Sequence, residues 1–227
     1  RRVLFRSTAK MSTRTLLPPW EWSRSTLFIV SGSIFFTTYG LLAKKILPRC
    51  MWKQLSRWYF WPMLPITYIG RNLPWSPPYF VEVSPGVILG GVPLVFAGHV
   101  EELYRLGVRG VVNMQDEYVG PVKKYQELNV TQLYLPTVDH TEPSCAQMHT
   151  ACTFIATQTE AGHKVYVHCK GGHGRGAAIA FAWMLKTHQK SLKETQLLLS
   201  GQRKVRKKLY TQANMVAFHR ELVDAIE

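Results

Sequence analysis

The stretch "KVYVHCKGGHGRGAAIAFAWMLKTH", residues 164–188, constrains the fold more than any other. It opens on "KVYVH", a β-branched and aromatic run with strand character. It closes on "GAAIAFAWMLKTH", a small-residue helix able to pack closely on a sheet. Between them lie Gly171, Gly172 and Gly174, with Gly176 opening the helix. Glycines this dense support neither helix nor strand, and they free backbone N–H groups to point at a ligand. Strand, tight loop and helix in this order form the building unit of a parallel α/β sheet.

The surrounding sequence repeats that alternation. Strands are expected at 86–91, 108–114, 132–138 and 164–168. Helices are expected at 99–107, 144–162 (Ser144 as N-cap, Gly162 as stop), 176–188, 191–205 and 211–226. The fold class is α/β, with a central, mostly parallel sheet flanked by helices. Such sheets bind ligands beyond the carboxyl ends of their strands. "QDEY" at 115–118, "DHT" at 139–141 and "CKGGHGR" at 169–175 all fall at such ends, so one shared cleft is expected.

The chain has 227 residues and a formal net charge of +14. Residues 1–81 carry 12 Lys and Arg against Glu21 alone, giving +11, and the rest carry 16 against 13 acids, giving +3. The excess therefore belongs to the N-terminal segment, which argues against a nucleic-acid-binding domain. Residues 26–43 hold no charge and are flanked by Arg24, Lys44 and Lys45. We read 26–48 as a transmembrane anchor following a basic segment 1–25. An aromatic and basic juxtamembrane linker at 49–79 follows, then a catalytic domain at 80–227 that begins after a proline-rich joint at 72–85. A helix packed on the domain and a cleaved targeting peptide are the alternatives for the apolar stretch. Met11 is the first methionine, and residues 1–10 carry no weight. The four cysteines, Cys50, Cys145, Cys152 and Cys169, have no metal-ligand spacing, so a structural zinc is not expected.

The glycine loop has a chemistry of its own. Amides of Lys170, Gly171, Gly172, His173, Gly174 and Arg175 would curl into a nest for a phosphate at a helix start. Arg175 adds a planar, permanently charged fork. The field that binds phosphate also favours a thiolate at Cys169. That thiolate can attack phosphorus and form a phosphocysteine. Asp139 is the candidate acid for the leaving group, and its rival role is a turn residue ahead of the helix at 144. Asp116 and Glu117 read as solvated or structural, with an accessory role held open. His168 is expected to point inward and orient the loop by hydrogen bonding. His173 is expected to be exposed, contributing only as part of the loop. The basic run at 203–208 reads as a solvated face, with contact to anionic lipid as the alternative if the chain is membrane-anchored.

"VHCKGGHGR" resembles the H-C-x2-G-x2-R signature of cysteine-dependent protein tyrosine and dual-specificity phosphatases. With "VNMQDEY", "LPTVDHT" and "VYVHCK", residues 80–225 resemble the branch containing the mitochondrial phosphatidylglycerophosphate phosphatase. The resemblance implies that Cys169 is the nucleophile, Arg175 the phosphate clamp and Asp139 the general acid. It implies hydrolysis of a phosphomonoester without a cofactor, on a phosphorylated lipid head group or, as the alternative, on a phosphoprotein. It also implies the mitochondrial inner membrane, with the endoplasmic reticulum as the alternative. One position departs from the family: Gly176 stands where a Ser or Thr usually follows the arginine, which opens a third reading as a weakly active phosphate-binding adaptor. "GHGRGA" at 172–177 also fits a dinucleotide pattern, a weak signal so late in a domain.

Overall fold

The computed structural model describes residues 19–74, 76 and 78–225, and they divide into two compact units at Lys44/Lys45. The first holds one helix, α1 (Pro19–Ala43). The apolar stretch is thus helical, as an anchor requires. Even so, among the described residues no helix is long and apolar enough to cross a membrane. The physical reason is composition: Ser31, Gly32, Ser33, Thr37, Thr38 and Gly40 interrupt the apolar run. The expectation of a transmembrane anchor is corrected to that extent. Of the basic segment at 1–25, residues 1–18 lie outside the described residues and the rest belongs to α1.

The second unit is built on a five-stranded sheet. Its strands are β1 (Phe80–Ser84), β2 (Val87–Gly90), β3 (Val108–Gln115), β4 (Thr131–Thr137) and β5 (Lys164–His168). The order is β1-β2-β5-β3-β4. β1 pairs antiparallel with β2, and all other pairs are parallel. Pro136 is tolerated because β4 is an edge strand.

The helices are α2 (Arg49–Arg71), α3 (His99–Arg105), α4 (Val122–Glu127), α5 (Cys145–Glu160), α6 (Arg175–His188), α7 (Leu192–Gln202) and α8 (Ala213–Asp224). One face of the sheet packs on α5, α6, α7 and α8 through Leu89, Val112, Val167, Met148, Phe181 and Phe218. The other meets α3 and α4 through Ile88, Val111, Val100, Leu103 and Tyr125. α6 is buried continuously from Arg175 to Leu185, and its four alanines let it lie close to β5. Phe181 is fully buried, which contributes about 1.5–3 kcal/mol. Ser144 caps α5 through a capping box with Gln147, as the sequence pattern requires.

Three elements were not read from the sequence, the short α4 among them. β1 lies in the proline-rich joint. The segment read as a linker contains α2, a helix with Pro62 and Pro65 in its interior. α2 packs on the sheet-bearing unit: Phe60 joins a small core with Val92 and Leu94, and its ring stacks on Tyr118 at 5.6 Å.

Candidate active site

The parallel register aligns the strand ends. Gly90 and Asn113 both pair with His168, so the segments after β2, β3 and β5 emerge side by side, with that after β4 next to β3. The three sequence segments are therefore brought to the same end of the sheet.

Cys169 follows β5 directly and is 4% exposed. The loop behind it is shaped by its carbonyls. Val92 N–H donates to Lys170 O at 3.1 Å, and Arg206 N–H donates to His173 O at 2.8 Å. Arg71 Nη2 donates to Gly171 O. In a trans peptide the C=O and the following N–H point in opposite directions, and no cis bond occurs among the described residues. Pinning these three carbonyls outward therefore turns the N–H groups of Gly171, Gly172 and Gly174 to the other face. Gly172 is irreplaceable here: its φ is +69°, and a Cβ would lie 2.4 Å from Gly90 O. Gly174 is the N-cap of α6, so the helix's unpaired N–H groups add to the same positive site.

Arg175 begins α6 and is fully engaged on one edge. Nη1 and Nη2 donate to the two carboxylate oxygens of Glu117 at 2.7 and 2.6 Å. Nη1 also donates to Thr137 O at 2.8 Å, and Nη2 meets Asp139 Oδ1 at 3.0 Å. Its buried Nε has no partner among the described residues. Burial alone would lower its pKa, but Asp139 and Glu117 outweigh that and push it up. Glu117 is thus neither solvated nor remote, since its side chain is 1% exposed and orients the guanidinium.

Asp139 sits between two cations. Lys170 Nζ lies 2.8 Å from Oδ2 and Arg175 Nη2 lies 3.0 Å from Oδ1. Burial would raise its pKa, yet the two cations hold it well below the usual carboxylate range. The residue after it, His140, has a φ of +64°, a conformation costly for a side chain of this size, held in a loop of the cleft.

Asp116 has the structural role the sequence suggested: Arg57 of α2 donates to both its oxygens, at 2.9 and 3.2 Å. His173 and Arg203 depart from expectation, whereas His168 keeps its inward place. His168 is buried as expected, and burial pushes its imidazole down to about 3, opposed by the backbone of Cys169 at the start of the loop. Its ring stacks on Tyr166. His173 is not free: Nδ1 lies 2.6 Å from Lys204 O, and Nε2 meets Arg71 Nη2. Arg203 is buried, not solvated, and donates to Pro78 O at 2.9 Å and Tyr79 O at 3.0 Å. Burial pushes its pKa down to about 10. Arg71 was missed altogether. It is 100 residues from its loop contacts, and no local pattern signals such a pair.

The dinucleotide pattern fails on topology. β5 is the last strand among the described residues, so no following strand carries the acid such a site uses.

The description "Dual specificity phosphatase, catalytic domain" matches residues 96–222. Phosphatidylglycerophosphatase and protein-tyrosine phosphatase 1 of Rattus norvegicus is 32% identical over 148 residues, covering 62% of this chain and 76% of that protein. Dual specificity phosphatase 28 of Homo sapiens is 31% identical over 137 residues, covering 57% and 70%. A crystal structure of PTPMT1 in complex with PI(5)P superposes with a TM-score of 0.58 at 26% identity, covering 66% of this chain and 99% of that one. The glycine loop, its buried arginine and these matches agree: the chain belongs to the dual specificity phosphatase family and is a cysteine-dependent phosphatase.

Proposed function

We propose that this phosphatase hydrolyses the phosphomonoester of a phospholipid head group through a phosphocysteine at Cys169. What supports the reading is the pinning of the Lys170, Gly171 and His173 carbonyls, which turns the following N–H groups the other way, together with the unpartnered Nε of the buried Arg175 at the end of the same loop. Glu117 holds the opposite edge of the guanidinium. The phosphate takes Nε–H and the Nη2–H now shared with Asp139. Asp139 thereby loses a cation and gains a dianion as neighbour, and both changes raise its pKa. Substrate binding thus loads the proton that the leaving group needs.

In the first step Cys169 Sγ attacks phosphorus, the P–O bond to the alcohol breaks, and Asp139 gives its proton to the departing oxygen. In the second step a water attacks phosphorus and passes a proton to Asp139, and the P–S bond breaks to restore the thiolate. Loop amides and Arg175 hold the equatorial oxygens throughout.

Support for a lipid substrate comes from the names of the relatives, a phosphatidylglycerophosphatase and a structure holding PI(5)P. The basic residues Lys170, Arg71 and Arg206 around the loop suit a polyanionic head group. A membrane location accompanies this substrate, the mitochondrial inner membrane first and the endoplasmic reticulum second. The first relative's name also includes protein-tyrosine phosphatase, so phosphoprotein is the second reading. Phosphate release from vesicles carrying phosphatidylglycerophosphate or a phosphoinositide, set against phosphotyrosine peptides and an aryl phosphate, separates the two. A kcat/KM higher on the lipids supports the proposal, and a higher value on the peptides overturns it.

A further inference from the structure

We propose that Arg71, at the C-terminal end of α2, is a positioning residue for the phosphate loop, acting through Gly171 and His173. It lies outside the family match at 96–222, in a helix that the sequence reads as a linker. The inference rests on the reading that the 169–175 loop binds the substrate phosphate.

The argument is one of connectivity. Arg71 Nη2 donates both to Gly171 O and to His173 Nε2. An acceptor at Nε2 makes Nδ1 the protonated nitrogen, so Nδ1–H donates to Lys204 O at 2.6 Å. The backbone of the same histidine is held too, its carbonyl taking Arg206 N–H at 2.8 Å. One guanidinium therefore ties α2, the loop and the segment after α7 into a single brace. The imidazole has to be neutral to accept from Arg71. Burial, and then the charge of Arg71, push it down to about 4, so it stays neutral across the physiological range. Burial also lowers the pKa of Arg71.

The brace controls the loop's inward face. The Gly171 carbonyl and the Gly172 amide belong to one peptide plane. Without Arg71 the Gly171 carbonyl loses its donor and that plane is free to turn. Gly172 cannot resist the turn, because it has no side chain and already occupies the left-handed region. A turned plane takes its N–H away from the phosphate. α2 is anchored independently by Arg57 on Asp116 and by Phe60 on Tyr118, so losing Arg71 need not detach the helix.

The test uses the full chain with an aryl phosphate as substrate and inorganic phosphate as competitive inhibitor. Arg71→Met keeps the stem and removes both donations. Misplacement of about 1 Å can cost about 10²-fold, so kcat/KM should fall by about 10- to 100-fold and the inhibition constant for phosphate should rise at least several-fold. Arg71→Lys keeps charge and stem without the fork, and should show the same two changes in weaker form if Arg71→Met fails to fold. His173→Leu should lower kcat/KM, and the double variant should be little worse than Arg71→Met, because the two residues act in one chain. Arg57→Met is the control: it removes the ion pair with Asp116 but leaves Phe60 on Tyr118 and Arg71 on the loop, so it should lower the melting temperature without changing phosphate inhibition. The inference is overturned if a folded Arg71 variant keeps the wild-type inhibition constant, or if the losses of Arg71→Met and His173→Leu simply add. A wild-type enzyme that phosphate does not inhibit would overturn the underlying reading of the loop instead.

Discussion

Glu117→Gln is the perturbation whose size the structure fixes best. The carboxylate and Arg175 are 1% and 2% exposed and joined at two points, 2.6 and 2.7 Å. Removing one member of a buried pair typically costs about 3–5 kcal/mol, because the other charge is left uncompensated. Asp139 at 3.0 Å and the carbonyl of Thr137 at 2.8 Å remain to Arg175, which places the loss at the lower end, about 3 kcal/mol. For a unit of this size 1 kcal/mol corresponds to about 2–4 °C, so the melting temperature should fall by about 6–12 °C. Function should fall as well. Gln offers one oxygen to a guanidinium that had two, and its amide group faces Arg175 N–H donors. The arginine then turns toward Asp139 and its Nε edge leaves the phosphate, with a loss in kcat/KM of about 10²-fold. Thermal unfolding and steady-state turnover of an aryl phosphate are the assays. A variant with unchanged melting temperature and unchanged kcat/KM would refute the role of Glu117 as the residue that aims Arg175.

Asp139→Asn should slow phosphocysteine formation by about 10²–10⁴-fold with a poor leaving group, and by much less with nitrophenolate; equal losses on both would make Asp139 a structural residue. The same carboxylate sets an acid limit on stability. Its folded pKa lies below the unfolded value of about 3.9, so its contribution is present above that value and lost as pH falls through and below it. Melting temperatures between pH 6 and 3 should therefore fall more steeply for the wild type than for Asp139→Asn, and parallel curves would contradict the ion pairing. Gly176→Ser tests the family departure. A Cβ there would sit 3.1 Å from His168 C and 3.2 Å from Cys169 N, so the start of α6 must shift by a few tenths of an ångström, a strain of about 1–3 kcal/mol. If the hydroxyl aids release of the thiolate, the variant should show a smaller phenol burst and a faster steady state despite that strain. A folded variant with neither change would mean the hydroxyl is dispensable.

The parts of the site that were legible in the sequence are those set by local pattern. Cys169, the glycines and Arg175 lie within one strand–loop–helix unit, and Asp139 follows a strand, so position along the chain already placed them at one sheet edge. The N-cap at Ser144 is local in the same way. What was not legible depends on contacts between distant segments. Glu117 looked like one acid in a polar run, and only the β3–β5 register brings it to a residue 58 positions away. Asp116 is its neighbour in sequence, yet Arg57 takes it to α2. α2 itself was hidden by Pro62 and Pro65, which remove helix N–H donors. Arg203 stands in a basic run whose other members are exposed or partly so, and nothing in composition separates the one that turns inward.

The central claim, covalent catalysis by Cys169 in a phosphate nest, is tested most directly by acid-quenching the enzyme during turnover of an aryl phosphate and locating bound phosphate by peptide mass spectrometry. The account predicts phosphate on the peptide containing Cys169 in the wild type. It predicts none in Cys169→Ser, which should not turn over yet should still bind inorganic phosphate, because its hydroxyl stays protonated while the loop amides and Arg175 remain. Phosphate found on another residue, or turnover by Cys169→Ser at a rate near that of the wild type, would contradict it.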